Sequence, residues 1–473
     1  MHLNILHRPS VDTYRFFEMQ QDMAHQLGLK VTVMVPFSAM QDGRIVEDVK
    51  RYEREYGDEI GISFHGMGCP DFEREIEYQM GALWLYSAKD KERIIDLILD
   101  RFRTCFGREP VSAAAYHFDS FALNILKSKA PSIRIAVAGC FEEGVRVFHG
   151  CNNSWYLFNE GMPWGPWYPS RTHSLRPAMD EEDSAGLLAV PHLCRDMVLS
   201  YEGRNDFWAS HPPNVIRAMG NDGKFCPYSL NLVDQYRLQE KYNEDFTYYN
   251  VFVGAGWLTH SINSEESPEV AQSLYREQLA YFAGLRDEGK LTDMTMGGFA
   301  KWYTEHFPIG SAHVFWAKDI VYGSNKHYVW YVDSYQRVLL DAAQGGSIGD
   351  LRPYVAKVAC ATGPDSPAMA VGSYPYLIQS QHRAGAAHHS SDGTRTTFLV
   401  THDGETIDLC TCRTKCADIE RDAEGIKVRF TPAKLSFASG LCVWFETIYH
   451  FPGEGRILIQ RRLTELSDEA ASL

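Results

Sequence analysis

The sequence predicts an α/β protein: a distorted, seven-stranded β/α barrel over residues 1–308, followed by an antiparallel β-sandwich-like domain over residues 309–473. Three observations carry this expectation. Short apolar, β-branched runs alternate with helical stretches through the N-terminal part. The alternation stops near Pro308, after which β-rich runs follow one another with Gly, Asp, Asn and Ser between them. The composition is that of a folded globular chain, with 473 residues, 45% hydrophobic and 23% charged, which excludes disorder, collagen and coiled coil as descriptions of the whole.

Leu3–Leu6 reads as the first strand and Asp12–Leu27 as the helix after it, with Gly28 where a helix stop belongs. Val31–Val35 is β-branched and nearly all apolar, as a strand buried on both faces must be. Ile60–Phe64, Val111–Tyr116, Ile133–Ala138, Leu187–Val190 and Tyr249–Val253 repeat that pattern. Helices fit between them over Lys89–Phe106, Ser120–Lys129, Pro227–Lys241 and Pro268–Glu288. Strands and helices in this order imply parallel pairing with helices outside, in an incomplete barrel; a doubly wound open sheet is the alternative. No GxGxxG or GxxxxGK[ST] follows any strand, which speaks against a nucleotide site. Beyond Pro308, the β-rich runs are His313–Tyr322, His327–Leu340, Thr396–Thr401, Thr406–Cys412, Ile426–Phe430, Cys442–Tyr449 and Arg456–Arg461, while Ala361–Pro375 and Ser380–Thr394 read as loops.

Lys and Arg total 46 against 61 Asp and Glu, a formal net charge of −15. Such a chain is not expected to bind nucleic acid or an anionic membrane, both of which need a basic surface. There is no apolar run of about 18 residues, so no membrane span is expected. Met1–His7 has neither a basic start nor a long apolar stretch, so no signal peptide is expected; a chain trimmed after export would read the same, and the compartment and the oligomeric state stay open. The 11 Cys are thinly spread and fit reduced thiols better than a disulfide scaffold.

In parallel barrels the functional residues sit where strands end at their C-terminal side. By that rule His7 ends strand one, His65 strand three, His117 and Asp119 strand four, and His192 strand six, with Asp196 just beyond; Trp257 and His260 follow strand seven. Imidazole and carboxylate together suit metal binding or acid–base chemistry near neutral pH, and a hydrogen-bonded structural role equally. His117 and Asp119 flank Phe118 and so fall on one side of an extended segment. The Pro- and Gly-rich segment Gly161–Pro169 carries Trp164 and Trp167, with Trp155 upstream; such aromatics either stack on sugar rings or plug the barrel mouth. Cys410, Cys412 and Cys416 lack a fourth ligand at zinc spacing and read as ordinary strand thiols, and His388-His389 reads as solvent-facing.

Two of these segments resemble known families. Glu59–Phe72 resembles the second motif of polysaccharide deacetylases, in which a Gly-containing strand ends in His and a His-Pro pair follows four residues on. His65 matches the first His; Cys69 stands for the second, with Pro70 in place. Strand seven, His260 and the long helix after them are similar as well. This resemblance implies a divalent metal, zinc or similar, held by His65 with His7, Cys69 or Asp12 to activate water, and His260 as the acid in amide cleavage. The first strand differs: deacetylases carry Asp-Asp-Gly there, and this chain has His7-Arg8-Pro9. That His-x-Pro resembles glycosidases of family fifty-seven, which share the seven-stranded barrel and place a Glu nucleophile after strand four. Asp119 stands at that position, which implies a nucleophile or base, and Asp196 is the candidate for the second carboxylate. The resemblance covers the barrel and implies the glycoside hydrolase/deacetylase superfamily: a hydrolase acting on a glycan, with His7, His117, His192, Trp164, Trp167 and Trp257 as candidate substrate contacts. The rival expectations are a non-catalytic carbohydrate-binding protein on a degenerate barrel and a metal-dependent amidohydrolase acting on non-sugar substrates.

Overall fold

The computed structural model describes residues 1–77, 83, 86–115, 117–139, 162–192, 194–201, 227–259, 268–356, 376–380 and 394–468. Strands β1 (His2–Arg8), β2 (Val31–Pro36), β3 (Glu59–Ser63), β4 (Ser112–Ala114), β5 (Ile135–Gly139), β6 (Leu188–Pro191) and β7 (Tyr248–Gly254) form one sheet in the order β6-β5-β4-β3-β2-β1-β7. Every pair along that path is parallel. A two-residue strand, β8 (Thr292–Asp293), pairs with the start of β1. Strands β2, β5, β6 and β7 are buried at every position, as parallel strands covered on both faces require.

The path is that of a barrel left open between β6 and β7. A side chain bridges the gap where no ladder runs: Asn250 on β7 donates from Nδ2 to the Pro191 carbonyl at 2.7 Å, and the Cys194 N–H reaches the Asn250 carbonyl at 3.4 Å. Exposed ladder groups at such an opening would otherwise be unpaired in the interior.

Helices α1 (Tyr14–Gln26), α2 (Gly43–Tyr56), α3 (Pro70–Glu75), α4 (Ala88–Phe106) and α5 (Ser120–Lys129) return the chain between strands, and among the described residues four more span Met197–Tyr201, Pro227–Arg237, Pro268–Asp287 and Met296–His306. Helix α2 goes unassigned in the sequence reading. Its apolar residues Ile45, Val46, Val49 and Tyr52 recur at helical spacing and are buried, while the rest of the segment is strongly charged. Asp42 caps it by accepting the Arg44 and Ile45 N–H groups, and Gly57 ends it at φ 75°. No described helix is long and apolar enough to cross a membrane.

The chain divides into two compact units. The first comprises Met1–Leu238 and Phe246–Gly310. The second comprises Gln239–Asp245, Ser311–Ala356 and Pro375–Leu473. In the second unit, β9 (His313–Lys318), β10 (His327–Val332), β11 (Gln336–Asp341), β12 (Ser347–Pro353) and β13 (Ile378–Gln379) make an antiparallel sheet. A hairpin of β14 (Leu399–His402) and β15 (Glu405–Asp408) follows, then a four-stranded antiparallel sheet of β16 (Cys416–Asp422), β17 (Gly425–Ser436), β18 (Leu441–Phe451) and β19 (Leu458–Asp468). The two larger sheets share a core: Val314, Val329, Val338 and Leu340 of one meet Ile426, Val428, Phe430 and Phe451 of the other. Tyr331 stacks on Phe451 with ring centroids 4.1 Å apart. Each fully buried aliphatic side chain in such a core contributes about 1.5–3 kcal/mol, and this pairing makes the unit sandwich-like.

Candidate functional site

The loops that leave β1, β2 and β3 surround an open cavity of about 840 Å³. Its polar lining includes Arg8, Asp12, Ser38, Asp42, Cys69 and Asp71. Three of these are already engaged. Asp42 caps α2, Asp71 pairs with Arg74, and the Ser38 hydroxyl donates to the Gly66 carbonyl at 2.6 Å. The Asp12 carboxylate makes no hydrogen bond or ion pair with any described residue, and the Cys69 thiol, at the start of α3, makes no capping bond. Arg8 follows His7 on β1, pairs in register with Gly254 and lies 5.9 Å from the Phe252 ring.

His7 does not join that cavity. Its Nδ1 lies 2.6 Å from the Gln21 side-chain oxygen and its Nε2 2.6 Å from the Tyr275 hydroxyl, so it points into the layer between β1 and the helices α1 and Pro268–Asp287. An amide oxygen only accepts, so Nδ1 carries the proton and Nε2 accepts from the tyrosine. The chain of bonds continues: Gln21 Nε2 donates to Asp58 at 2.9 Å, and His25 Nε2 meets the same carboxylate oxygen at 3.0 Å. Burial pushes the His7 imidazole down to about 4 and raises the Asp58 carboxyl.

At the end of β4 a second group of polar side chains is closed in. Lys91, which is 2% exposed, forms an ion pair with Asp119 at 2.7 Å. Asp119 also caps α5 by accepting the Ala122 N–H at 2.8 Å, and its side chain is 15% exposed. His117 is buried, with Nδ1 3.1 Å from the Ala138 carbonyl. That carbonyl fixes the proton on Nδ1 and leaves the lone pair on Nε2. Burial pushes the ring down to about 4; the Asp119 charge works against that shift, while His173 and Lys91 work with it. The fold thus gathers His117, Asp119, Lys91 and His173.

Lys91 and His173 were not among the sequence candidates. Lys91 shares the buried face of α4 with Ile94, Ile95, Ile98, Leu99 and Phe102. A cation in a helix's first turn and on its apolar stripe is unfavourable without a partner, and that was the available signal. His173 rides on the Trp-bearing segment, which is stapled to itself: Arg176 forks onto Asp183 at 2.6 and 2.8 Å, and Trp167 donates its indole N–H to the Ser174 carbonyl at 2.9 Å. Trp164 and Trp167 are 0% and 3% exposed. Gly139 shows how tightly Trp167 sits, because a Cβ there would collide with the Met162 sulfur and meet the Trp167 ring at 3.3 Å. Trp167 packs beside β5 and β6, and neither indole has much surface left to offer a ligand.

His192 and Asp196 follow β6 and are buried. The His192 ring packs on Phe252 at 4.9 Å, and Asp196 accepts from the Tyr228 hydroxyl at 3.3 Å. His65, half-buried, follows β3; the Ser63 hydroxyl donates to its carbonyl at 2.9 Å and accepts its N–H at 3.2 Å, and Gly66 turns the chain at φ 81°. His260 and Trp155 lie outside the described residues, as do His388-His389 and the Trp257 side chain.

Asp12 and Cys69 therefore face one cavity, and His65 lies on the loop that carries Cys69. Among the described residues, however, no three His, Cys, Asp or Glu side chains stand close enough to hold a metal ion. The residues suggested for a metal do not fit one in this arrangement.

No protein-family model and no curated protein matches the chain. Among solved structures it is similar to one from Parabacteroides distasonis, provisionally described as a glycoside hydrolase/deacetylase, at 13% identity and a TM-score of 0.57, over 80% of this chain and 91% of that one. A provisionally described polysaccharide deacetylase from Mycobacterium smegmatis aligns at 12% identity and a TM-score of 0.37, over 64% of this chain and 89% of that one. A 4-alpha-glucanotransferase from Thermococcus litoralis aligns at 9% identity and a TM-score of 0.28, over 98% of this chain and 84% of that one. At these identities the likeness is one of fold, and it rests on the first structure: over most of its length the chain shares the fold of that Parabacteroides distasonis protein.

Proposed function

We propose that this protein is a carbohydrate-active hydrolase that takes a glycan into the cavity at the C-terminal ends of β1–β3. The observation that supports this is the cavity itself. It is large enough for sugar rings, lies where β/α barrels place their chemistry, and holds the uncommitted Asp12 carboxylate with Arg8 nearby. The likeness of fold to the Parabacteroides distasonis protein, described as a glycoside hydrolase/deacetylase, supports a glycan as substrate.

In this reading Asp12 and Arg8 bind and orient the sugar through its hydroxyls. Asp119, the partly exposed member of the β4 cluster, is the carboxylate that acts as base or nucleophile, and Lys91 keeps its charge in place. His117 stands behind it as a neutral imidazole whose Nε2 can take a proton. Asp196 and His260 are the candidate proton donors.

A second reading, glycan binding without catalysis, is favoured by one observation. Asp119 is already committed to a helix cap and an ion pair. One experiment separates the two. The full chain is incubated with a panel of oligosaccharides and N-acetylated glycans, and reducing ends and acetate are both measured. Asp119→Asn is compared in parallel, since Asn caps a helix as well as Asp does. Turnover by the parent that is lost in Asp119→Asn, with glycan binding retained, supports the hydrolase. Binding with no product in either protein makes the barrel a lectin-like module, and no binding at all removes both readings.

A further inference from the structure

A second cavity, of about 390 Å³, lies at the opposite end of the barrel strands. Arg134 enters it just before β5, Leu187 and Leu188 from the start of β6, Lys127 from the last turn of α5, and Lys301 from the Met296–His306 helix. The whole chain is acidic, yet here, among the described residues, three cations face a single carboxylate, Glu181.

The cations are not there to satisfy one another. Lys127 donates to the Pro131 and Ile133 carbonyls at 2.8 and 2.7 Å, which occupies two of its three N–H groups. Burial lowers its ammonium and the Arg134 charge lowers it further, so the two cations crowd each other. The Arg134 and Lys301 side chains make no hydrogen bond or ion pair with a described residue. Ser184 also lines the cavity; its hydroxyl oxygen accepts the Gly186 N–H at 3.0 Å, so its own proton is left to donate. The floor is apolar, made of buried Leu187, Leu188 and Ala300.

We propose that this cavity binds a phosphorylated small molecule, with the phosphate on Arg134, Lys301 and Lys127 and the rest of the ligand against the apolar floor. A phosphate monoester carries a charge of about −1.5 to −2 at neutral pH and three acceptor oxygens. That matches three cations opposed by one carboxylate, and the Arg fork suits phosphate geometry. A monocarboxylate would neutralise less of the excess.

The test titrates the full chain at low salt with glycerol phosphate, inorganic phosphate and glycerol, followed by calorimetry. Glycerol phosphate is chosen because it is not a sugar, so failure here leaves the glycan reading at the other end untouched. The expected result is saturable binding of glycerol phosphate, weaker binding of inorganic phosphate and none of glycerol. Arg134 and Lys301 are exposed, so Arg134→Gln with Lys301→Gln should keep the parent's thermal midpoint. The pair should lower affinity by about tenfold or more, the loss expected for one or more charge-assisted bonds. Glu181→Gln should tighten binding. Absence of saturable binding, equal affinity in the Arg134/Lys301 double variant, or inorganic phosphate binding as tightly as glycerol phosphate would each overturn the proposal.

Discussion

The rim after β1–β3 and the rim after β4–β6 occupy the same place in the fold and are built in opposite ways. After β1–β3 the loops stand apart around an open cavity, and Asp12 there is committed to no neighbour. After β4–β6, His117, His192 and Asp196 are buried, as are Lys91 of α4 and Trp164 and Trp167 of the aromatic segment. Both rims carry the residue types from which active sites are made. The difference is availability: in the closed rim a polar side chain must be partnered or lose its hydration uncompensated, and of the β4 cluster it is Asp119 that keeps some exposure. A strand-end His or Asp is therefore a functional candidate only after its partners are known.

Substitutions separate the two rims. The largest effect belongs to the closed rim: Trp167→Ala should destabilise the protein by about 3–5 kcal/mol, read from the urea midpoint. A loss under about 1 kcal/mol would mean that the indole is not the packing element its burial indicates. Next, Lys91→Met should cost about 3 kcal/mol, because it leaves Asp119 without its buried partner. Lys91→Met combined with Asp119→Asn should recover part of that loss, and a double variant no better than the single one would deny the coupling.

Acid sharpens the contrast. His7 and His117 are both held near 4, below the 6.5 of a free imidazole. Between those values the unfolded chain binds more protons than the folded one, so unfolding is favoured as pH falls. Stability from these rings is fully present above about 6.5, declines toward pH 4 and levels off below it, with an upper bound of about 3 kcal/mol per ring. Equilibrium unfolding across that range checks it, and a flat midpoint would contradict the neutral rings. The smallest effect on stability belongs to the open rim. Asp12→Asn should change it by no more than about 0.5 kcal/mol, while glycan turnover or binding falls sharply.

Much of the architecture was legible before folding. The parallel sheet announced itself through runs such as Val31–Val35, which read the same in any register because both faces are covered. The β4 cluster was half legible, since the His117–Asp119 spacing was visible. Lys91 was not, because a lone Lys among the charges of an amphipathic helix resembles any solvated Lys until its face is traced. Helix α2 was missed because its charged majority hides a narrow apolar stripe.

The sequence by itself determined the β/α alternation, the change to antiparallel strands after Pro308 and the set of side chains at the strand ends. These depend on local periodicity and on polar residues that interrupt it. Only the tertiary structure decided which of those side chains are free to act. His7 turned to Gln21 and Tyr275, and Asp119 to Lys91, each partner on another element. Asp12 was left facing open solvent in a cavity. Partnering depends on side-chain direction and on what packs opposite, and neither is encoded in the spacing of one segment.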